Sequence, residues 1–232
     1  LFDFMAESLA TNDGTRSVTR TGGLAFSLGE TVKSIQEFGD TNEDSLDLVT
    51  SVFGLHWHNN LPAMLEVVRK KLKPDGLFLA ALPGDRTLNE LRNSFIEAET
   101  EISGNVSLRV DPFGEVRQYG SLLQRAGFAL PVVDSEVFTV RYDTIEAIIR
   151  DLRAWGGSGS LQTKPAPLTK QMVLRAGEIY RKKYADADGR LRATYEIVYL
   201  HGWKPHSSQQ KPLKPGSATT HLSKVLGDSG LK

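Results

Sequence analysis

The chain has no cysteine among its 232 residues. Disulfides, thiolate metal sites and cysteine nucleophiles within it are thereby excluded. Neither sign of charge prevails: 28 lysines and arginines balance 28 aspartates and glutamates, for a formal net charge of zero at pH 7. Broad binding to a phosphate backbone draws on a basic face, so nucleic acid is not an expected partner. No apolar run reaches the roughly 20 residues that a membrane-spanning helix needs. A secretory leader, with its charged start and apolar middle, is not seen either, and a reducing, cytoplasmic compartment is the expectation. The first residue is Leu1 rather than methionine, which leaves residues before it open.

What is present is concentrated between Leu46 and Leu82. Leu46, Leu48 and Val49 form a short apolar run ending at Thr50-Ser51, as a strand does where it feeds a loop. Leu61, Met64, Leu65, Val68 and Leu72 then recur at helical spacing and share one face. Lys73-Pro74-Asp75-Gly76 stops that helix, because proline cannot continue it and glycine tolerates the turn. The unbroken apolar run Leu77 to Leu82 reads as a strand buried on both faces. The pattern predicts a right-handed βαβ unit with parallel strands.

Further helices and strands follow. Thr87 and Glu90 have capping-box spacing, ahead of a helix whose face carries Leu88, Leu91, Phe95, Ala98 and Ile102. Val116, Tyr119, Leu122, Leu123 and Ala126 make another stripe, closed by Gly127. Phe128 to Tyr142 reads as strand with a turn near Asp134-Ser135, and Asp143 with Glu146 opens a helix running to Trp155. Met172, Ala176, Ile179 and Tyr180 mark a last helix, Asp186 to Gly189 a turn, and Thr194 to Trp203 a central strand.

These residues carry a resemblance. Asp47-Leu48-Val49, then Leu55-His56-Trp57, an amphipathic helix, Leu72-Lys73-Pro74-Asp75-Gly76 and an apolar strand resemble the fourth-to-fifth-strand region of class I S-adenosylmethionine-dependent methyltransferases. From Gly84 to Ala218 the chain is similar to one branch, the methyltransferase-like family that includes the mitochondrial complex I assembly factor and its bacterial relatives. The similarity rests on Gly84 to Arg92, Glu97 to Glu101, Arg109-Val110-Asp111-Pro112-Phe113, Leu122 to Phe128, Arg192 to Ile197, Gly202 to Pro212 and Pro215 to Ala218.

The resemblance implies an α/β, Rossmann-like sheet, mostly parallel with its last strand antiparallel, and extra helices over the cofactor cleft. It implies one methyltransferase-like domain over 1–232, with a helical insertion at about 143–185 and an extended tail at about 203–232. S-adenosyl-L-methionine is the implied cofactor. Two activities are open, because fold analogy does not choose between them. One is methyl transfer to a small molecule or protein side chain. The other is an assembly or modifying factor, of the complex I or arginine-hydroxylation type, that binds the cofactor without methylating. In a eukaryote the mitochondrial matrix would be the location.

The N-terminal region departs from this scheme. Three strands and two helices should precede the fourth strand, roughly 60 residues at about 30 per βαβ unit, yet only Leu1 to Ser45 stand there. No Asp/Glu-x-Gly-x-Gly-x-Gly loop is among them, and Asn12-Asp13-Gly14 and Thr21-Gly22-Gly23 read as ordinary turns. Either the loop is absent from the protein or residues are missing from this region; the second is the expectation, around Asp3 and between Ala10 and Arg16.

Topology directs the search for a site. Ligands of open α/β sheets bind outside the carboxyl ends of strands, which selects Ser51, Val52, Phe53, Leu55, His56 and Trp57 as cofactor contacts. The competing reading has Leu55 and Trp57 merely packing the next helix. Asp85 and Arg92 are candidates for orienting a polar substrate, or else mark a solvated helix start. Trp203 and His206 either touch substrate or, with Lys211, belong to a tail strapped over the sheet edge. The basic C-terminal tail is a candidate surface for a protein partner. His56 and His58 lack a third ligand nearby, so no metal site is expected. No catalytic residue is assigned. In-line methyl transfer depends mostly on proximity, and a base is needed only where the nucleophile must lose a proton.

Overall fold

The computed structural model describes residues 24–25, 41–58, 60–155, 167–210 and 216–217. Within them one sheet has the order β1-β2-β3-β5-β4. Its strands are β1 (Leu24–Ala25), β2 (Leu46–Val52), β3 (Leu72–Pro83), β4 (Ala129–Tyr142) and β5 (Leu191–Trp203). The helices are α1 (Leu61–Lys71), α2 (Asn89–Ser103), α3 (Val116–Arg125), α4 (Ile145–Ala154) and α5 (Lys170–Tyr184), with a 3-10 turn at Leu55–Trp57. The expectations for the N-terminal glycine turns and missing residues, and for the tail from Lys211, fall outside the described residues.

The βαβ unit forms as the periodicity predicts. Strands β2 and β3 are parallel, with Thr50 opposite Leu79 and Val52 opposite Ala81. The Asn60 side chain accepts the Ala63 N–H at 3.2 Å and caps α1. Lys73-Pro74-Asp75-Gly76 ends the helix but does not leave the sheet. It forms a bulge at the start of β3, where Leu46 faces Leu72 while Leu48 already faces Leu77. A Cβ on Gly76 would stand 2.8 Å from the Lys73 carbonyl oxygen, so the bulge needs glycine.

Strand β5 lies antiparallel between β3 and β4, with Leu77 opposite Trp203 and Pro83 opposite Ile197. This is the α/β sheet with an antiparallel last strand that the resemblance implies. Among the described residues, β2–β3 is the parallel pair. Two local expectations are corrected. No turn interrupts β4 at Asp134-Ser135, since both residues pair with β5, opposite Tyr199 and Val198. The capping box at Thr87 and Glu90 does not form either. The residue ahead of α2 is Leu88, at φ 52. Thr87 Oγ donates to the Glu196 carbonyl at 3.0 Å, and the Glu90 carboxylate accepts the Thr194 N–H at 3.2 Å, so these side chains pin α2 to β5. At α4 the cap is Thr144, one residue beyond Asp143.

Alternation along β5 divides the interior in two. Val198 and Leu200 face one side of the sheet and pack with Phe78, Leu82, Leu65, Val68 and Leu123 beneath α1 and α3. Leu191, Ala193 and Tyr195 face the other and pack with Leu91, Phe95, Ile148, Ile179 and Tyr180 beneath α2, α4 and α5. The second cluster covers only one end of its face. Toward the other end Val52, Leu79, Val132 and Tyr199 are exposed.

Candidate functional site

Strand β2 ends in a sharp reversal. Phe53 adopts φ 50, the left-handed region, and its N–H donates to the Ala81 carbonyl at 2.8 Å. A non-glycine residue there costs on the order of 1 kcal/mol, and such strain clusters at binding sites. The reversal brings the Phe53 and His56 rings within 6.1 Å, edge to face. Two rings from distant segments complete the group. Phe113, from the connection between α2 and α3, lies 6.0 Å from His56, and Trp155, at the end of α4, lies 5.9 Å from it. Trp155 is also 5.8 Å from both Phe53 and Phe113. Burial among these rings lowers the His56 pKa to about 4, against an opposing pull from Asp111. The imidazole is therefore neutral at physiological pH. Burial lowers His58 too.

A cleft of about 220 Å³ opens beside the rings. Leu55, His56, His58 and Leu61 form one wall, and Pro112, Phe113, Gly114, Gln118, Tyr119 and Leu122 the other. The second wall is held by the Tyr119 side chain against the Gly114 backbone. Gly114 N–H donates to the Tyr119 hydroxyl at 3.0 Å, and a Cβ on Gly114 would come 2.8 Å from the Tyr119 ring. Burial raises the Tyr119 pKa, against the Gly114 hydrogen bond, and the Asp85 and Glu196 carboxylates raise it further. Tyr119 thus stays a donor, and negative charge stands within electrostatic reach of this wall. Glu196 is 5 % exposed and accepts the Arg86 N–H at 3.1 Å. It comes so close to Gly84 that a Cβ there would lie 2.4 Å from its carboxylate.

The connection bearing Phe113 is anchored from α2. Glu99 is nearly fully buried and accepts from Arg109 Nε at 2.7 Å and from the Ser107 N–H at 2.6 Å. The anchor precedes Val110 and Asp111, both buried, and fixes the approach of Pro112 and Phe113 to the cleft.

The predicted residues fall into separate places. Phe53 and His56 join the rings, and Leu55 both lines the cleft and packs the core. Ser51 is buried on the α1 and α3 side, its hydroxyl without a hydrogen-bond partner among the described residues, while Val52 points to the opposite, exposed face. The Trp57 side chain lies outside the description. Arg92 donates to the Asp85 carbonyl at 3.3 Å and the Thr87 carbonyl at 3.4 Å, bracing the turn before α2. Burial lowers its pKa, opposed by Asp85.

Trp203 and His206 are not brought to this cleft. Trp203 pairs with Leu77 near the start of β3, about 20 Å along the strand from Pro83 at roughly 3.3 Å per residue. His206 Nδ1 lies 2.7 Å from Ser208 Oγ, and Gln209 Nε2 donates to Asp75 at 2.8 Å. That segment is strapped across the amino end of β3.

Sequence reasoning did not select Asp111, Phe113, Tyr119, Trp155 or Glu196. Phe113 stood in a family-like string, and Trp155 served only as the end of a stripe. Among the described residues no group of three His, Asp or Glu side chains could hold a metal ion. No described helix is long and apolar enough to cross a membrane.

No family model matches the chain. It is 37 % identical over 224 residues to the mitochondrial arginine-hydroxylase NDUFAF5 of Danio rerio, covering 95 % of this chain and 70 % of that protein. The human arginine-hydroxylase NDUFAF5 is 41 % identical over 190 residues, 82 % of this chain and 55 % of its own length. A malonyl-[acyl-carrier protein] O-methyltransferase of Laribacter hongkongensis is 36 % identical over 172 residues, 74 % of this chain and 56 % of its own. The chain spans about half the length of several of the curated relatives it matches. Identity of this extent makes the chain a member of the class I methyltransferase-like family that contains the arginine-hydroxylase NDUFAF5.

Proposed function

We propose that this protein is an enzyme that binds S-adenosyl-L-methionine at the end of β2 and modifies a protein side chain presented in the cleft beside His56, with methyl transfer as the first reading. The observation that carries it is the group of Phe53, His56, Phe113 and Trp155 around a buried, neutral imidazole. Aromatic faces attract a cation without a fixed counter-charge, which suits a sulfonium. When bound, the cofactor supplies an electrophilic methyl group. The rings would hold the sulfonium end and exclude water, and the Tyr119 hydroxyl oxygen, which already accepts the Gly114 N–H, would accept a further hydrogen bond from the methyl acceptor. The negative charge of Asp85 and Glu196 favours an acceptor that is itself cationic.

The second reading is a modifying enzyme of the arginine-hydroxylase kind that does not methylate. It is favoured by degree of identity, 41 % to the human hydroxylase against 36 % to the malonyl-carrier methyltransferase. A guanidinium acceptor would suit the same aromatic and acidic cleft under either reading; in methyl transfer its attacking nitrogen would have to release a proton, for which the Asp85 and Glu196 carboxylates are the bases within electrostatic reach.

Calorimetric titration with S-adenosylmethionine tests the shared core of both. Binding should also raise Tm, by about 2.7 kcal/mol of added stability at 100 times Kd. His56→Ala should weaken binding about tenfold or more, while Lys224→Ala should not. A flat trace and no thermal shift at millimolar cofactor would sink the proposal. Where binding holds, mass spectrometry of an arginine-containing acceptor peptide separates an added methyl from an added oxygen.

A further inference from the structure

A second groove, of about 260 Å³, runs between α4 and the start of α5. Glu146, Ile149, Arg150, Arg153, Leu168 and Val173 line it, and none of them lines the cleft beside His56. Its floor is apolar, from Ile149 with half-buried Leu168 and Val173. Leu174, the next residue of α5, is 55 % exposed. The rim carries Arg150 and Arg153, which share a face of α4 at i, i+3.

Both arginines are exposed, and among the described residues neither has an ion-pair or hydrogen-bond partner for its side chain. Arginines nearby are otherwise engaged. Arg175 on α5 pairs with Glu101 and Glu178, and Arg141 on β4 with Asp186. A guanidinium pair left open above an apolar floor is complementary to carboxylates on an apolar helix, which arginine can grip in bidentate fashion.

We propose that this groove docks an acidic amphipathic helix of the protein substrate, its apolar side on Ile149, Leu168 and Val173 and its carboxylates on Arg150 and Arg153. The inference rests on the reading that the acceptor is a protein. Helix α4 links the two places, since Trp155, two residues beyond Arg153, stands among the rings around His56. A substrate held on the outer face of α4 would have its target side chain at high effective concentration near the cleft.

The test uses the whole chain and a fluorescein-labelled amphipathic peptide of leucine and glutamate, with a scrambled peptide of equal composition beside it. Anisotropy should show binding that weakens as salt rises and falls about tenfold in Arg150→Glu/Arg153→Glu. Val173→Asp should weaken it as well. Arg150 and Arg153 lie at the exposed rim and Val173 is half-buried in the floor, so an unchanged melting temperature is required of each variant to verify folding. Equal binding by the charge-reversed chain, or equal binding of the scrambled peptide, overturns the proposal. So does a marked gain of affinity when residues 157–165 are replaced by glycine and serine, which would make that segment the groove's own occupant. Cofactor-induced thermal shift is read on the same variants. Its loss in the unsubstituted chain, with peptide binding intact, would refute the cofactor reading and leave the groove standing.

Discussion

At the scale of single residues, His56 carries the most information. Its folded pKa of about 4 lies below the ordinary 6.5, so the folded state resists protonation. The sign follows: this contribution is complete above about pH 6.5 and is lost as pH falls toward 4. The whole effect is up to roughly 3 kcal/mol at 1.36 kcal/mol per pKa unit. His56→Phe keeps a ring in place and removes the titration. Its fall in Tm between pH 7 and pH 5 should be smaller than that of the parent chain, with His58 supplying the remainder. An equal fall in both would refute the burial argument. Gly84 is the second decisive position. Gly84→Ala sets a methyl against the buried Glu196 carboxylate and should cost about 1–3 kcal/mol in denaturant melts. His56 was legible because topology alone places Leu55-His56-Trp57 at a strand's carboxyl end. Asp111 and Glu196 were not, because nothing local distinguishes a buried acid from a solvated one.

At the scale of elements, the connection between α2 and α3 depends on one buried pair. Removing Arg109 leaves the Glu99 carboxylate buried without its cation, at a cost of about 3–5 kcal/mol. Arg109→Ala should therefore be strongly destabilising, whereas Glu99→Leu/Arg109→Met should be nearly as stable as the parent chain. The double variant would nevertheless lose the Ser107 contact that aims Pro112 and Phe113. Cofactor affinity in it should fall while Tm is held, and a change in Tm alone would reduce the pair to a role in folding. Helix and strand positions were largely legible, since α1, α3 and α5 follow their apolar stripes. The errors at Thr87-Glu90 and Asp134-Ser135 share a cause. Residue types suited to a cap or a turn were used instead for long-range bonds to β5, which no window of neighbouring residues can register.

At the scale of the molecule, the site joins segments that the chain keeps far apart: Phe53 after β2, Phe113 before α3 and Trp155 after α4. The parallel β2–β3 pair followed from the βαβ unit and the antiparallel last strand from the family resemblance. The ring cluster emerged only once α4 was seen to end beside the end of β2. Strand β5 is the last strand described, yet it lies between β3 and β4 and contributes to both interiors. During synthesis, β3 and β4 leave the ribosome without the strand that separates them, each with an unpaired edge. Such edges are templates for pairing with other chains. At about 5–20 residues per second, several seconds pass between completion of β3 and arrival of β5. A chain stopped at Gly189 should stay uncooperative in melts and associate through those edges. The full chain's yield should depend on holdase chaperones more than its final stability suggests.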